Sequence, residues 1–392
     1  MKRIYAKIFD MFFYLLLGAL LVGLIIFPKQ VSQVVMDTCV LCFNVILPSL
    51  FPFFVFASLI INSGLASLIG RSFGGIMKFV FGLPGSSGIA FFLGILSGYP
   101  VGANTAISLY KAGECSKSEA ERLLAFCNNT GPAFILGSVG LGIWKNSQVG
   151  ILLYVCQIAA SIITGILFRF YKGSEEKNIK RKTKKNTAMN KTDIIVHSIK
   201  SSAQNVFYIC AFIVFFAVVI ELLSQFKVIP AISSLLASLL PFSKSANELA
   251  NYLVKGFFEV TTGTKLAGEG SALAPLRLAV TGAILSWAGL SVHCQVLSFL
   301  SGSGLSVYPY ILGKFIQAII GAVITYIAAI FYPFQIPVMN TGSIPLKNLE
   351  ILTFSKTLYY SAIVLFSCML FFALSFLCTI LKNSGKQRKV KL

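Results

Sequence analysis

Gly94-Ile95-Leu96-Ser97-Gly98-Tyr99-Pro100-Val101-Gly102-Ala103-Asn104 and, after one polar turn, Phe126-Cys127-Asn128-Asn129-Thr130-Gly131-Pro132-Ala133-Phe134 both lie inside apolar sequence. Both carry Gly, Pro, amide and hydroxyl side chains where an uninterrupted membrane helix would carry Leu and Ile. A helix broken inside lipid strands backbone N–H and C=O groups, each at a cost of several kcal/mol. Such breaks persist only where protein buries them or where they line a wet cavity, as in the discontinuous helices of secondary transporters.

Working outward, 56% of the 392 residues are hydrophobic and only 12% are charged. A soluble domain carries about a quarter charged residues. Several runs reach the roughly 20 apolar residues needed to cross a bilayer, so the fold class is an all-α polytopic membrane protein. Lys2, Arg3 and Lys7 precede an apolar run at 11–27 with no small-residue cleavage site after it. That run reads as a first spanning helix rather than a signal peptide. The net charge of +20 gathers at the N-terminus, in a central loop and in a tail holding Lys382, Lys386, Arg388, Lys389 and Lys391. This is the positive-inside pattern, and attraction to lipid headgroups accounts for it without nucleic acid. Among the nine cysteines, Cys39 and Cys42 form a CxxC with no second pair or His at metal-ligand spacing. They read as small apolar packing residues, and no metal or cofactor is expected.

Six segments are expected. Residues 1–30 hold the first transmembrane helix, 31–171 a first repeat, and 172–192 a basic cytoplasmic linker. Residues 193–331 hold a second repeat, 332–357 an external loop with Pro333, Pro337 and Pro345, and 358–392 a last helix and basic tail. Within the first repeat, Pro48 and Pro52 kink an apolar run. Residues 65–81 suit an interfacial or tightly packed helix. Residues 89–97 are too short to cross alone. Ser116 or Ser118 caps a helix whose first turn holds Glu119 and Glu121, and 149–171 is a plain spanning helix. The second half repeats this order at an offset of roughly 160 residues: 196–223 answers 34–61, 231–242 answers 65–81, 256–264 answers 94–100, 285–293 answers 126–134, and 308–330 answers 149–171. Basic segments at both ends and in the middle place all three in the cytoplasm. The two repeats then enter the membrane from opposite sides, which makes them inverted.

The candidate site residues lie at the interruptions. At the first, Ser97, Tyr99 and Asn104 either face a midplane cavity or belong to a Pro-kinked packing helix, with Gly98 and Gly102 allowing close approach. At the second, Asn128, Asn129 and Thr130 are costly in oil without partners. Amides donate and accept, which suits a neutral polar ligand such as a nucleobase or sugar; the alternative is a helix cap. Glu259, beside Thr261, Thr262 and Thr264, is the acidic residue placed at a break. It binds a cation, relays a proton or bonds a ligand, or it pairs structurally with Lys255 or Lys265. At the fourth interruption His293 stands with Ser286, Ser291 and Gln295 around Gly289. No nucleophile–base or metal cluster occurs at usable spacing, which argues against an enzyme.

Ser-Gly-Tyr-Pro-Val-Gly-Ala from Ser97, Leu-Tyr-Lys-Ala-Gly-Glu from Leu109, Glu-Ala-Glu-Arg-Leu-Leu-Ala-Phe-Cys-Asn-Asn-Thr-Gly-Pro from Glu119 and Gly-Leu-Ser-Val-His-Cys-Gln-Val from Gly289 together resemble the YlbJ-type sporulation integral membrane proteins. That resemblance implies a nucleoside-recognition gate domain, similar to part of concentrative nucleoside transporters, and a role in making mature spores. The expectation is a secondary-transporter-like carrier of a small polar solute, with Na+ or H+ as coupling ion through Glu259. The alternative is a membrane scaffold or assembly factor for the spore envelope. On the sequence, Asn128→Leu and Asn129→Leu should separate the two: a scaffold tolerates them, whereas a carrier stays folded and loses function.

Overall fold

Glycine and proline decide where the helices stop. The computed structural model describes residues 2–63, 74–171, 190–239 and 245–331. Most of the expected basic linker, the external loop and the last helix lie outside the described residues, as do parts of the two expected helices at 65–81 and 231–242. Helix α1 (Lys2–Ile26) ends before Pro28, which opens α2 (Pro28–Leu41). Proline lacks an N–H and has a fixed φ, so it suits a first helical turn and not the interior of the helix before it. The chain accordingly bends by 95° between Tyr14–Ile26 and Pro28–Asn44. A π-helical turn, Cys42–Ile46, leads into α3 (Leu47–Asn62), which contains Pro52.

After the short helical stretch Gly74–Phe81 come α4 (Gly88–Leu96), α5 (Val101–Lys111), α6 (Lys117–Cys127), a π-helical segment Ala133–Ile143 and α7 (Ser147–Phe168). The second half holds α8 (Lys191–Gln225), α9 (Val228–Leu239), α10 (Ala246–Phe258), α11 (Val260–Glu269), α12 (Ala274–Trp287), α13 (Gly289–Leu300) and α14 (Tyr308–Phe331). Among the described residues every regular element is helical. The order of the first half recurs in the second, displaced by roughly 160 residues. One difference is local. α8 runs unbroken for 35 residues, whereas its counterpart is interrupted by the π turn and two prolines.

The four interruptions are of two kinds. α4 has 9 residues and α5 has 11, so each rises about 14–16 Å, half of a hydrocarbon core of about 30 Å. They pack side by side, as a re-entrant hairpin does. α10 and α11 do the same. By contrast, α12 and α13 form one apolar span, Ala274–Leu300, of 27 residues. In the first half the same order places α6 and the π-helical segment Ala133–Ile143 at the corresponding positions. Thus the first and third interruptions are hairpin tips, and the second and fourth are gaps within crossing helices.

Ser147–Phe168, Lys191–Gln225, Ala274–Leu300 and Tyr308–Phe331 are each long and apolar enough to cross a bilayer. Their outer faces expose Ile151, Val155, Phe207, Phe215, Phe315 and Ile319, which in water would be a liability and in lipid is the expected surface. The cores join the halves. α14 packs on α12 of its own half and on α6 and α7 of the other.

Of the two expected caps for α6, Ser116 is the one used. Its Oγ accepts from the Glu119 N–H at 3.2 Å, and Glu119 Oε2 accepts from the Ser116 N–H at 2.8 Å, a reciprocal capping box. Glu121 turns inward, where its Oε1 accepts from the Ser306 N–H at 3.0 Å and ties α6 to the loop before α14. Ser116→Ala is expected to destabilise the protein by about 1 kcal/mol, read as a lowered thermal midpoint in detergent with no change in oligomeric state.

Candidate functional site

Each hairpin tip leans on the broken span of its own half, main chain against main chain. Gly98 has φ +82°, and a Cβ there would lie 2.6 Å from the Gly131 nitrogen. Gly289 has φ +80°, and a Cβ there would lie 3.1 Å from the Val260 nitrogen and 3.2 Å from the Glu259 Cα. Glycine answers both needs at once, the left-handed backbone and the missing side chain. So the first interruption sits on the second, and the third sits on the fourth.

The two pairs then meet. Leu285 lies in the last turn of α12, where carbonyls lack an intrahelical partner. Its oxygen accepts from Thr130 Oγ1 at 3.0 Å and from Gln157 Nε2 at 3.5 Å, both from the first half. Ser286 Oγ donates to Gln157 Oε1 at 2.7 Å. At this junction is a small cavity of about 40 Å³, room for a water molecule or two. Its polar lining comes from all four interruptions: Ser97 and Tyr99, Thr130, Glu259 and Thr261, and then Ser291 and Gln295 just past the fourth. Ile46, Leu50 and Ile209 close it on an apolar side.

Glu259 is fully buried and has two distinct oxygens. Oε2 accepts from the Thr262 N–H at 2.7 Å and so caps α11. Oε1 has no hydrogen-bond partner among the described residues, and neither does Ser97 Oγ. Both residues line the cavity. α11 and α13 begin there as well, so their N-terminal N–H groups add positive potential beside the carboxylate. The site therefore sets hydrogen-bonding groups against one apolar wall.

Residues 43–172 match the Gate family, described as nucleoside recognition. The chain is 29% identical over 299 residues to the Sporulation integral membrane protein YlbJ of Bacillus subtilis (strain 168), covering 71% of this chain and 73% of that one. Its fold is similar to CNTnw in an inward-facing substrate-bound state, with a TM-score of 0.56 and 12% identity over 83% of this chain and 86% of that one. A variant of CNTnw in an intermediate state gives 0.54 and 14% over 83% and 86%. At such identities the likeness is one of fold. The family resemblance read from the motifs stands, and the matched Gate stretch contains the first two interruptions.

The remaining sequence candidates lie elsewhere, within the Gate stretch and beyond it. Asn104 is exposed. Asn128 Nδ2 donates to the Tyr310 hydroxyl at 3.4 Å. Asn129 Nδ2 donates to the Phe126 carbonyl at 2.9 Å and to Ser161 Oγ at 3.0 Å, while its Oδ1 accepts from Gln317 Nε2 at 2.8 Å. His293 Nδ1 is 2.8 Å from the Tyr310 hydroxyl. Ser286 is held by Gln157, and Thr264 bonds the carbonyls of its own helix. Thr262 contributes its backbone N–H to Glu259. Asn104, Thr262 and Thr264 apart, the candidates divide into a group at the cavity and a group turned toward α7 and α14.

Sequence reasoning missed that second group's partners. Gln157 and Ser161 lie on α7, which the sequence reading treats as a plain span, and Tyr310, Lys314 and Gln317 lie on α14. Within each helix they are three or four residues apart, so each set forms a polar stripe on one face. That spacing was the available signal.

Proposed function

We propose that this chain is a membrane carrier for a small polar solute of nucleoside-like chemistry and that it acts in sporulation. The observation that carries this is the convergence of four interruptions, two from each half, on one cavity lined by Glu259. The Gate match and the sporulation relative support the solute class and the setting. In a state more open than this one, where the cavity is about 40 Å³, hydroxyls of Ser97, Thr130 and Ser291, the Gln295 amide and the Glu259 Oε1 would bond sugar hydroxyls and ring nitrogens, and Ile46, Leu50 and Ile209 would receive the flat apolar face of a base. The basic segments support a cytoplasmic N-terminus, linker and C-terminus, and a C-terminal fluorescent-protein fusion that matures only in the cytoplasm should fluoresce.

The test is uptake of labelled nucleosides, nucleobases and sugars into proteoliposomes. Glu259→Gln keeps the shape and one acceptor but removes the charge. It is expected to lower uptake roughly 10- to 100-fold, the worth of one hydrogen bond to a charged group, with the protein still monodisperse in detergent. Wild-type uptake by Glu259→Gln would remove that residue from the site. Failure of the native protein to bind or move any of these solutes would remove the carrier reading.

A further inference from the structure

Lys314 is fully buried, two turns into α14. Its Nζ donates to the Asn128 carbonyl at 2.9 Å and to Gln317 Oε1 at 2.9 Å. Both acceptors are neutral. Asn128 is the C-cap of α6, so its carbonyl belongs to the negative end of a half-helix and has lost its intrahelical partner. On the same residue, Asn128 Oδ1 is buried with no hydrogen-bond partner among the described residues. A freed main-chain carbonyl, a glutamine oxygen and an orphan amide oxygen at a half-helix C-terminus make the kind of oxygen set that holds a coupling cation in carriers with broken helices.

The two halves differ at this point. Each last helix carries a glutamine that clasps the other half's broken span: Gln157 of α7 holds Ser286, and Gln317 of α14 holds Asn129. α7 contains no Lys or Arg. The lysine is therefore an addition at the first half's gap and not a requirement of the repeat. A lysine buried in a membrane interior with only neutral partners calls for a functional account.

We infer that the Lys314 amino group occupies the oxygen set where a coupling ion would bind at the interrupted α6 span, so that no free Na+ is taken up there. The consequence for coupling rests on the carrier reading; the occupancy of the oxygen set does not.

Thermal unfolding of the full chain in detergent, with Na+ exchanged for choline at constant ionic strength, tests this without any solute. The native protein should show no saturable rise in midpoint with Na+ and no saturable binding of radioactive Na+. Lys314→Ala vacates the oxygens and should gain a saturable rise of a few degrees with Na+, Li+ or K+. Lys314→Met fills the volume without charge and should gain none. Saturable Na+ binding by the native protein would overturn the inference, and so would a folded Lys314→Ala indifferent to all three cations. The native arm decides if Lys314→Ala does not fold. A failed uptake assay leaves both thermal readouts standing, so the two proposals fail separately.

Discussion

Gly94→Val is expected to yield no folded protein, and Gly102→Val the same. These glycines face each other across the α4–α5 hairpin and close on the end of α6. A Cβ at either position would overlap the Cys127 carbonyl oxygen and lie 2.9 Å from its carbon. Ordinary overpacking costs about 1–3 kcal/mol because side chains can move aside. Here the obstacle is main chain at the last turn before the second interruption, and relieving the clash would pull the hairpin tip off the broken span. Even Gly94→Ala should lower the thermal midpoint strongly. Gly137 is the control, since nothing lies within 4 Å of a Cβ there, and Gly137→Ala should leave the midpoint nearly unchanged. Size-exclusion recovery and thermal unfolding in detergent check all four. A well-folded Gly94→Val would mean that the hairpin does not seat on α6.

Asn129→Leu is the second large effect, and its outcome differs from what the sequence suggests. The side chain joins Phe126, Ser161 and Gln317 in a buried cluster. Replacing it leaves Gln317 Nε2 without its acceptor in a place water does not reach. That orphaned amide costs about 1–3 kcal/mol, and two further bonds go with it, although the Phe126 carbonyl keeps its bond from Ser161 Oγ. The expected loss is on the order of 3 kcal/mol or more, seen as a large drop in midpoint or in recovery. The substitution therefore fails in a carrier and in a scaffold alike and cannot tell them apart. Ser97→Ala can. Its hydroxyl bonds nothing among the described residues and lies at the cavity, so folding should be unchanged while solute affinity moves.

Much of the fold is legible along the chain because helix interruption is a local event. Pro28 and Pro52 mark a bend and a kink through a missing N–H, and Gly98 marks a tip and Gly289 a gap through backbone angles other residues resist. The internal repeat is legible for the same reason, since the pattern of apolar runs and breaks recurs even where identities do not. The site is only partly legible. Ser97, Thr130, Glu259 and Ser291 reach the cavity because each stands at a tip or just beyond a gap. Asn128, Asn129 and His293 stand in equivalent positions and turn the other way, toward α14.

The sequence by itself determined membrane residence, the four interruptions and the pairing of two similar halves, because apolar run length, proline and glycine act within a few residues of themselves. Only the tertiary structure decided which polar groups face the hollow and which are held by Gln157, Tyr310, Lys314 and Gln317. A buried polar group settles on whichever partner the packing brings within about 3 Å. For Asn129 that partner, Gln317, is 188 residues away along the chain.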